Sequence, residues 1–182
     1  MRAEMLEAAF ALIVERGYDK LTADDLAKGI GVSRATFFRY LGSKDEVVVQ
    51  GTLGSSAQFA DAYRAADHAP GASQWSRLRA AFEPAAQLAE ESPDVQRKRL
   101  QMIQSQPALG AQLRRARAPQ IEDLAEALID SGCDIFDAHV LATASIAVLD
   151  QCWMQWVRNS DLTLREVLDR AFAALESGAM RG

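Results

Sequence analysis

Residues 22–44 read TADDLAKGIGVSRATFFRYLGSK, and they decide the fold. Thr22 can N-cap a short helix, with Asp25 in the position that closes a capping box. Leu26, Ala27 and Ile30 give that helix one apolar face. Gly31 supplies a tight turn and Val32 an apolar residue beneath it. Ser33 caps a second helix with Phe37, Tyr40 and Leu41 inward. Ser43 caps a third, with Glu46 in the box position. Two helices joined by a short turn containing Gly form the helix-turn-helix arrangement, whose second helix enters the DNA major groove.

Spacing of this kind also fits an ordinary helical hairpin, so the outer face has to separate the two. It carries Arg34, Thr36, Arg39, Tyr40 and Lys44. A purely structural helix has no need to gather phosphate-reaching donors there. Ser33, Arg34, Ala35 and Thr36 occupy the turn that reaches base edges. Arg34 is suited to a guanine, and Ala35 and Thr36 to a thymine methyl. Thr22, Arg39, Tyr40 and Lys44 are placed for phosphates, with the helix start at Lys44 adding backbone N–H groups.

The run VSRATFFRYLGSK resembles the DNA-binding signature of the tetracycline-repressor (TetR) family of bacterial regulators. With the helix before it, from Met5 to Arg16, and the one beginning at Lys44, the resemblance covers roughly the first quarter of the chain. Family members usually carry Tyr at Phe38 and Phe at Leu41. The hydroxyl missing from Phe38 removes one phosphate contact that the resemblance implies, and Arg39 stands beside it as a replacement. The wording FFRY also resembles a mostly actinobacterial subset whose C-terminal domain binds acyl-CoA-like ligands.

The remainder reads as helix throughout. Leu6, Ala9, Phe10 and Ile13 mark a first helix that stops near Gly17. A fourth is expected from Lys44 to about Ala66 despite Gly51 and Gly54, each costing about 1 kcal/mol relative to Ala. Close packing against a neighbour accounts for such glycines better than a mechanical role. Asp67–Ser73 is a loop by composition. A fifth helix, Gln74 to Ala89, should kink at Pro84. Pro93, Pro107 and Pro119 open or restart the next ones. Asp137–Arg158 is apolar nearly all round and must be covered on all sides. Leu164, Val167, Leu168, Ala171, Phe172 and Leu175 form a strong final stripe. The expectation is an all-α fold of about nine helices. It comprises a three-helix helix-turn-helix domain, residues 1–46, and a larger helical effector-binding and dimerisation domain, residues 47–182.

Composition narrows the function. The net charge of −5 argues against a generally basic nucleic-acid binder. The first 50 residues hold seven Lys/Arg against eight Asp/Glu, so DNA affinity has to come from a local patch. Cys133 and Cys152 sit in apolar surroundings and suggest buried thiols in a reducing cytoplasm. Neither His68 nor His139 belongs to a metal-ligand spacing or a nucleophile motif. No enzyme activity, cofactor or metal is expected. Neither a signal peptide nor a run long enough to cross a bilayer is expected either.

Two further sites are expected. Trp75, Phe82, Met102, Gln106, Trp153 and Trp156 are candidates to line an effector pocket, although any one of them taken singly reads better as core. The family resemblance implies a small apolar or amphipathic effector there. The two apolar C-terminal helices need a second subunit to cover them. The resemblance implies a homodimer through a four-helix bundle, with Val140, Thr143, Ala147 and the final stripe from Leu164 to Leu175 at the interface. The expected partners are double-stranded operator DNA, the effector and a second copy. The expected output is ligand-responsive repression in the cytoplasm, with no membrane role. An effector-independent DNA-binding protein, or an all-helical carrier or enzyme, are the other classes.

Overall fold

Small polar residues set the helix starts wherever a cap is formed. The structure is a computed structural model and describes residues 1–66, 71–159 and 161–179. Of the loop expected at 67–73, residues 67–70 lie outside the described ones. Among the described residues there is no strand. The helices are α1 (Arg2–Arg16), α2 (Ala23–Gly29), α3 (Arg34–Leu41), α4 (Lys44–Leu53), α5 (Gln58–Ala65), α6 (Gln74–Ala81), α7 (Glu83–Glu91), α8 (Pro93–Ser105), α9 (Pro107–Arg115), α10 (Ala118–Asp130), α11 (Ile135–Arg158) and α12 (Leu164–Ala179). The all-α fold read from the sequence, with an N-terminal helix-turn-helix and a helical C-terminal part, is what the chain adopts.

The chain divides into two units, Met1–Gly54 with Arg97–Ala116, and Ser55–Gln96 with Arg117–Gly182. In the first unit the predicted caps form. Thr22 and Asp25 make a capping box, Ser33 accepts from the Thr36 amide, and Ser43 and Glu46 make a second box. Gly31, at φ 73°, makes the turn between α2 and α3, and the Val32 amide donates back to Ala27 at 2.9 Å. Ile13, Leu26, Phe37, Leu41, Val47 and Val48 are fully or almost fully buried beneath these helices. Ile103, Leu109 and Leu113 close the same core. The unit therefore runs beyond residue 46, through α4, and takes in a segment about fifty residues downstream.

The long fourth helix expected from Lys44 to Ala66 is two helices. Gly54 ends α4 at φ 68° and ψ −149°, a conformation that residues with a Cβ rarely adopt. Gly51, by contrast, stays helical and packs closely. A Cβ there would lie 2.5 Å from the Phe10 ring. The kink expected at Pro84 is instead a break at Phe82, which places Pro84 in the first turn of α7, where its missing N–H costs nothing.

In the second unit Phe82 is fully buried between Phe59 and Phe172, with ring centroids 5.0 and 5.6 Å away. Leu78, Leu124, Leu128, Leu149 and Leu168 complete this core with no exposure. Arg117 is buried with Gln120 at 2.6 Å and Asp150 at 2.7 Å, and Gln120 donates on to the Ser55 carbonyl at 3.3 Å. Removing one member would leave a buried charge uncompensated. Arg165 pairs with Glu83 and with Glu90, and Arg79 with Asp169 and Glu83, so α12 is tied to α6 and α7 by charge as well as by packing.

One expectation about membranes is corrected. At 24 residues, α11 is long and apolar enough to cross a bilayer by length and composition. It packs against α10 and α12.

Candidate nucleic-acid interface

The starts of α2 and α3 are joined by charge. Arg34, in the first turn of α3, places Nε 3.2 Å and Nη1 3.4 Å from the carboxylate of Asp24 in the first turn of α2. Its guanidinium carbon stands 5.4 Å from the Phe38 ring centroid. Phe38 itself is 43% exposed, an apolar ring left in solvent on this helix. Ser33 and Thr36 share a hydroxyl contact of 2.9 Å, and Ala35 is exposed between them. Arg39 is exposed over the Tyr40 ring, 4.7 Å from its centroid. The Thr22 hydroxyl and amide both donate to Asp25, which holds the Asp25 carboxyl below the usual carboxylate range.

Lys44 stands differently from its expected role. Its Nζ donates to the carbonyls of Tyr18 at 2.9 Å and Leu21 at 3.0 Å, and lies 3.7 Å from the Tyr18 ring centroid. The ammonium ties the 3-10 turn Tyr18–Lys20 to α4 instead of reaching outward. The start of α4 is also acidic, with Asp45 accepting from the Tyr18 hydroxyl and from Gln112. Arg2 is a further cation on this unit, one the sequence pattern does not single out. It donates to the Tyr40 carbonyl at 3.0 Å and to Gln50 at 2.5 Å, beside the end of the recognition helix. Its place at the chain's second position gives no local signal of this.

Charge follows the fold and not the chain order. With Arg97–Ala116 included, the first unit holds twelve Lys/Arg against eight Asp/Glu. The second holds eight against seventeen. Arg16, Lys20 and Lys28 line an open groove of about 590 Å³ beside α2, with Leu21, Gly29 and Asp25.

Residues 5–50 match the family model described as bacterial regulatory proteins of the TetR family, and residues 72–180 match the MftR C-terminal domain. The chain belongs to the TetR family. Its C-terminal part is of the MftR type. A Mycobacterium tuberculosis protein named as a mycofactocin biosynthesis transcriptional regulator, MftR, is 27% identical over 96% of this chain and 89% of its own length. Among solved structures, Thermus thermophilus FadR, a TetR-family repressor in complex with lauroyl-CoA, superposes with a TM-score of 0.67 at 22% identity, covering 98% of this chain and 94% of that one. The fatty acid degradation regulator FadR of Bacillus halodurans gives 0.61 at 16% identity, covering 96% and 93%. These two likenesses bear on the fold.

In this TetR-family chain the expected effector residues are shared between the two units. Phe82 is core with no free face. Trp75 leans on Phe172 at 6.3 Å, and Trp153 and Trp156 pack edge to face at 5.6 Å, both buried. Met102 packs on the core of the first unit, and Gln106 donates to Asp19 at 3.2 Å. Among the expected dimer residues, Leu164, Val167, Leu168 and Phe172 are already buried in their own chain, because the α12 stripe is spent on α11, α6 and α7. Ala171 and Leu175 are half-buried, while Val140, Thr143 and Ala147 are exposed. With Phe136, 73% exposed, these last three make one line along α11. Cys152 is buried and Cys133 half-buried. No cluster of ligand-type side chains that could hold a metal occurs among the described residues, and His68 lies outside them.

Proposed function

We propose that the chain is a homodimeric repressor of the bacterial cytoplasm that binds a palindromic operator and is released by a small apolar or amphipathic effector. The observation that carries this reading is the outer face of α3. Arg34, Ala35, Thr36, Phe38 and Arg39 are presented on a unit with a net excess of cations, in a chain that is acidic as a whole. Arg34, Ala35 and Thr36 read base edges. Ser33, Thr22, Arg39 and Tyr40 serve phosphates, with Arg2 added to them. Lys44 supports the site from beneath. Residues 1–46 hold the reading head, and the rest of the chain carries the effector and dimer functions. The exposed line on α11 takes its twin from a second copy about a twofold axis.

The test is titration of labelled duplexes from the DNA flanking the gene, at several salt concentrations. A palindromic site should bind far more tightly than random duplex, with affinity falling steeply as salt rises. Adding a series of fatty acyl-CoA thioesters should then release it at some chain length. Equal binding to all duplexes would refute the reading. The packed Phe59–Phe82–Phe172 cluster favours a second reading, an effector-independent DNA-binding protein. Operator affinity that no amphipathic ligand alters would decide for it.

A further inference from the structure

We propose that Asp24 is a specificity-setting residue, which positions the Arg34 guanidinium as a guanine reader against the ring of Phe38. The proposal rests on the DNA-binding reading above. Capping of α2 is the work of Asp25, whose carboxylate is bonded to Thr22. Asp24 points the other way, to Arg34, with contacts of 3.2 and 3.4 Å. The two side chains are 50% and 70% exposed, so the pair does not serve a core. An exposed ion pair adds too little to hold a fold. It is enough to bias a rotamer.

Four consequences follow from the geometry. Asp24 accepts from Nη1 and stands beside Nε, leaving Nη2, with the N–H groups that Asp24 does not take, as the fork that guanine O6 and N7 accept. The Phe38 ring, 5.4 Å from Cζ, restricts the swing of the guanidinium from another side. Holding a long side chain before binding lowers the ordering cost when it meets its base. The carboxylate also screens Arg34 from phosphates, because an arginine already paired gains less from a backbone oxygen. Asp24 therefore costs the protein some affinity for DNA in general and returns discrimination at one base pair.

The experiment starts from duplexes that the wild-type protein enriches from a randomised pool. Wild type, Asp24→Asn, Arg34→Ala and the double variant are then titrated against the enriched duplex and against versions with each guanine replaced in turn. Asp24→Asn should lower the preference for one guanine in each half-site by about two- to fivefold, the range of coupling in an exposed ion pair. It should tighten binding to random duplex. Arg34→Ala should abolish that preference, and Asp24→Asn should then change it no further. An unaltered guanine preference in Asp24→Asn would overturn the proposal. So would a gain from Asp24→Asn that is uniform for every duplex and the same with or without the Arg34→Ala change, which is what simple phosphate repulsion predicts. Melting temperatures of the four proteins confirm that each is folded. Should the wild type enrich no duplex at all, the DNA-binding reading fails and this proposal with it.

Discussion

Lys44 and Arg34 belong to neighbouring helices and have opposite commitments. Lys44→Ala removes two hydrogen bonds from a charged donor to buried-side carbonyls, and is expected to lower stability by about 1–3 kcal/mol in urea unfolding. Arg34→Ala removes an exposed pair and a contact with the exposed Phe38 ring, and should leave stability within about 1 kcal/mol. Its loss should appear in base discrimination, about 1–3 kcal/mol at one position. An equal drop in stability for both would contradict this division. The cysteines divide in the same manner. Burial pushes the Cys152 thiol up to about 11. In the folded protein at pH 8 that thiol is neutral, so iodoacetamide should modify Cys133 and leave Cys152 intact until denaturant is added. Peptide masses read the outcome, and equal labelling of both would show that Cys152 is accessible.

At the scale of elements, the two glycines of the α4 region do different things. Gly51→Ala would gain about 1 kcal/mol of helix propensity but drive a methyl into Phe10, an overpacking that costs about 1–3 kcal/mol. A net loss of stability is expected, with Phe10→Ala in the same chain removing the clash term. A stabilised Gly51→Ala protein would mean that the ring yields freely. Gly54→Ala should be destabilising for a separate reason, since it must hold φ 68° at the end of α4. The capping box of α2 adds a pH dependence. Because hydrogen bonds to Thr22 depress the Asp25 carboxyl, that box contributes stability above the unfolded value of 3.8 and loses it as pH falls through the lower folded value. Thermal melts of wild type and Asp25→Asn between pH 2 and 7 should converge at the acid end, while curves separated by a constant gap would reject the link.

These elements also show how far sequence reading reaches. Thr22, Ser33, Ser43 and Gly31 act on neighbours three or four residues away, so the reading head was legible almost residue by residue. The break at Gly54 was not, because a glycine inside a helical pattern can either pack closely or turn the chain, and only the surroundings decide. The same holds for Leu164, Leu168 and Phe172. An apolar stripe announces that it will be covered, without saying whether by its own chain or by a partner. Lys44 shows the limit for polar groups, since the carbonyls that capture it lie more than twenty residues away.

For the whole molecule, the exposed line Phe136, Val140, Thr143 and Ala147 is the face that the proposed homodimer would cover. Val140→Asp should convert the dimer to monomer in sedimentation velocity and weaken operator binding by about tenfold or more, because a buried carboxylate without a partner costs several kcal/mol. A dimer that survives Val140→Asp together with Phe136→Asp would locate the interface elsewhere. The uneven sharing of charge between the two units has a kinetic meaning as well. A polyphosphate attracts the unit with twelve cations and eight anions and repels the one with eight and seventeen. Salt screens both effects beyond about 8–10 Å. For the proposed DNA-binding role, the charge of the first unit speeds encounter with a duplex and that of the second slows it.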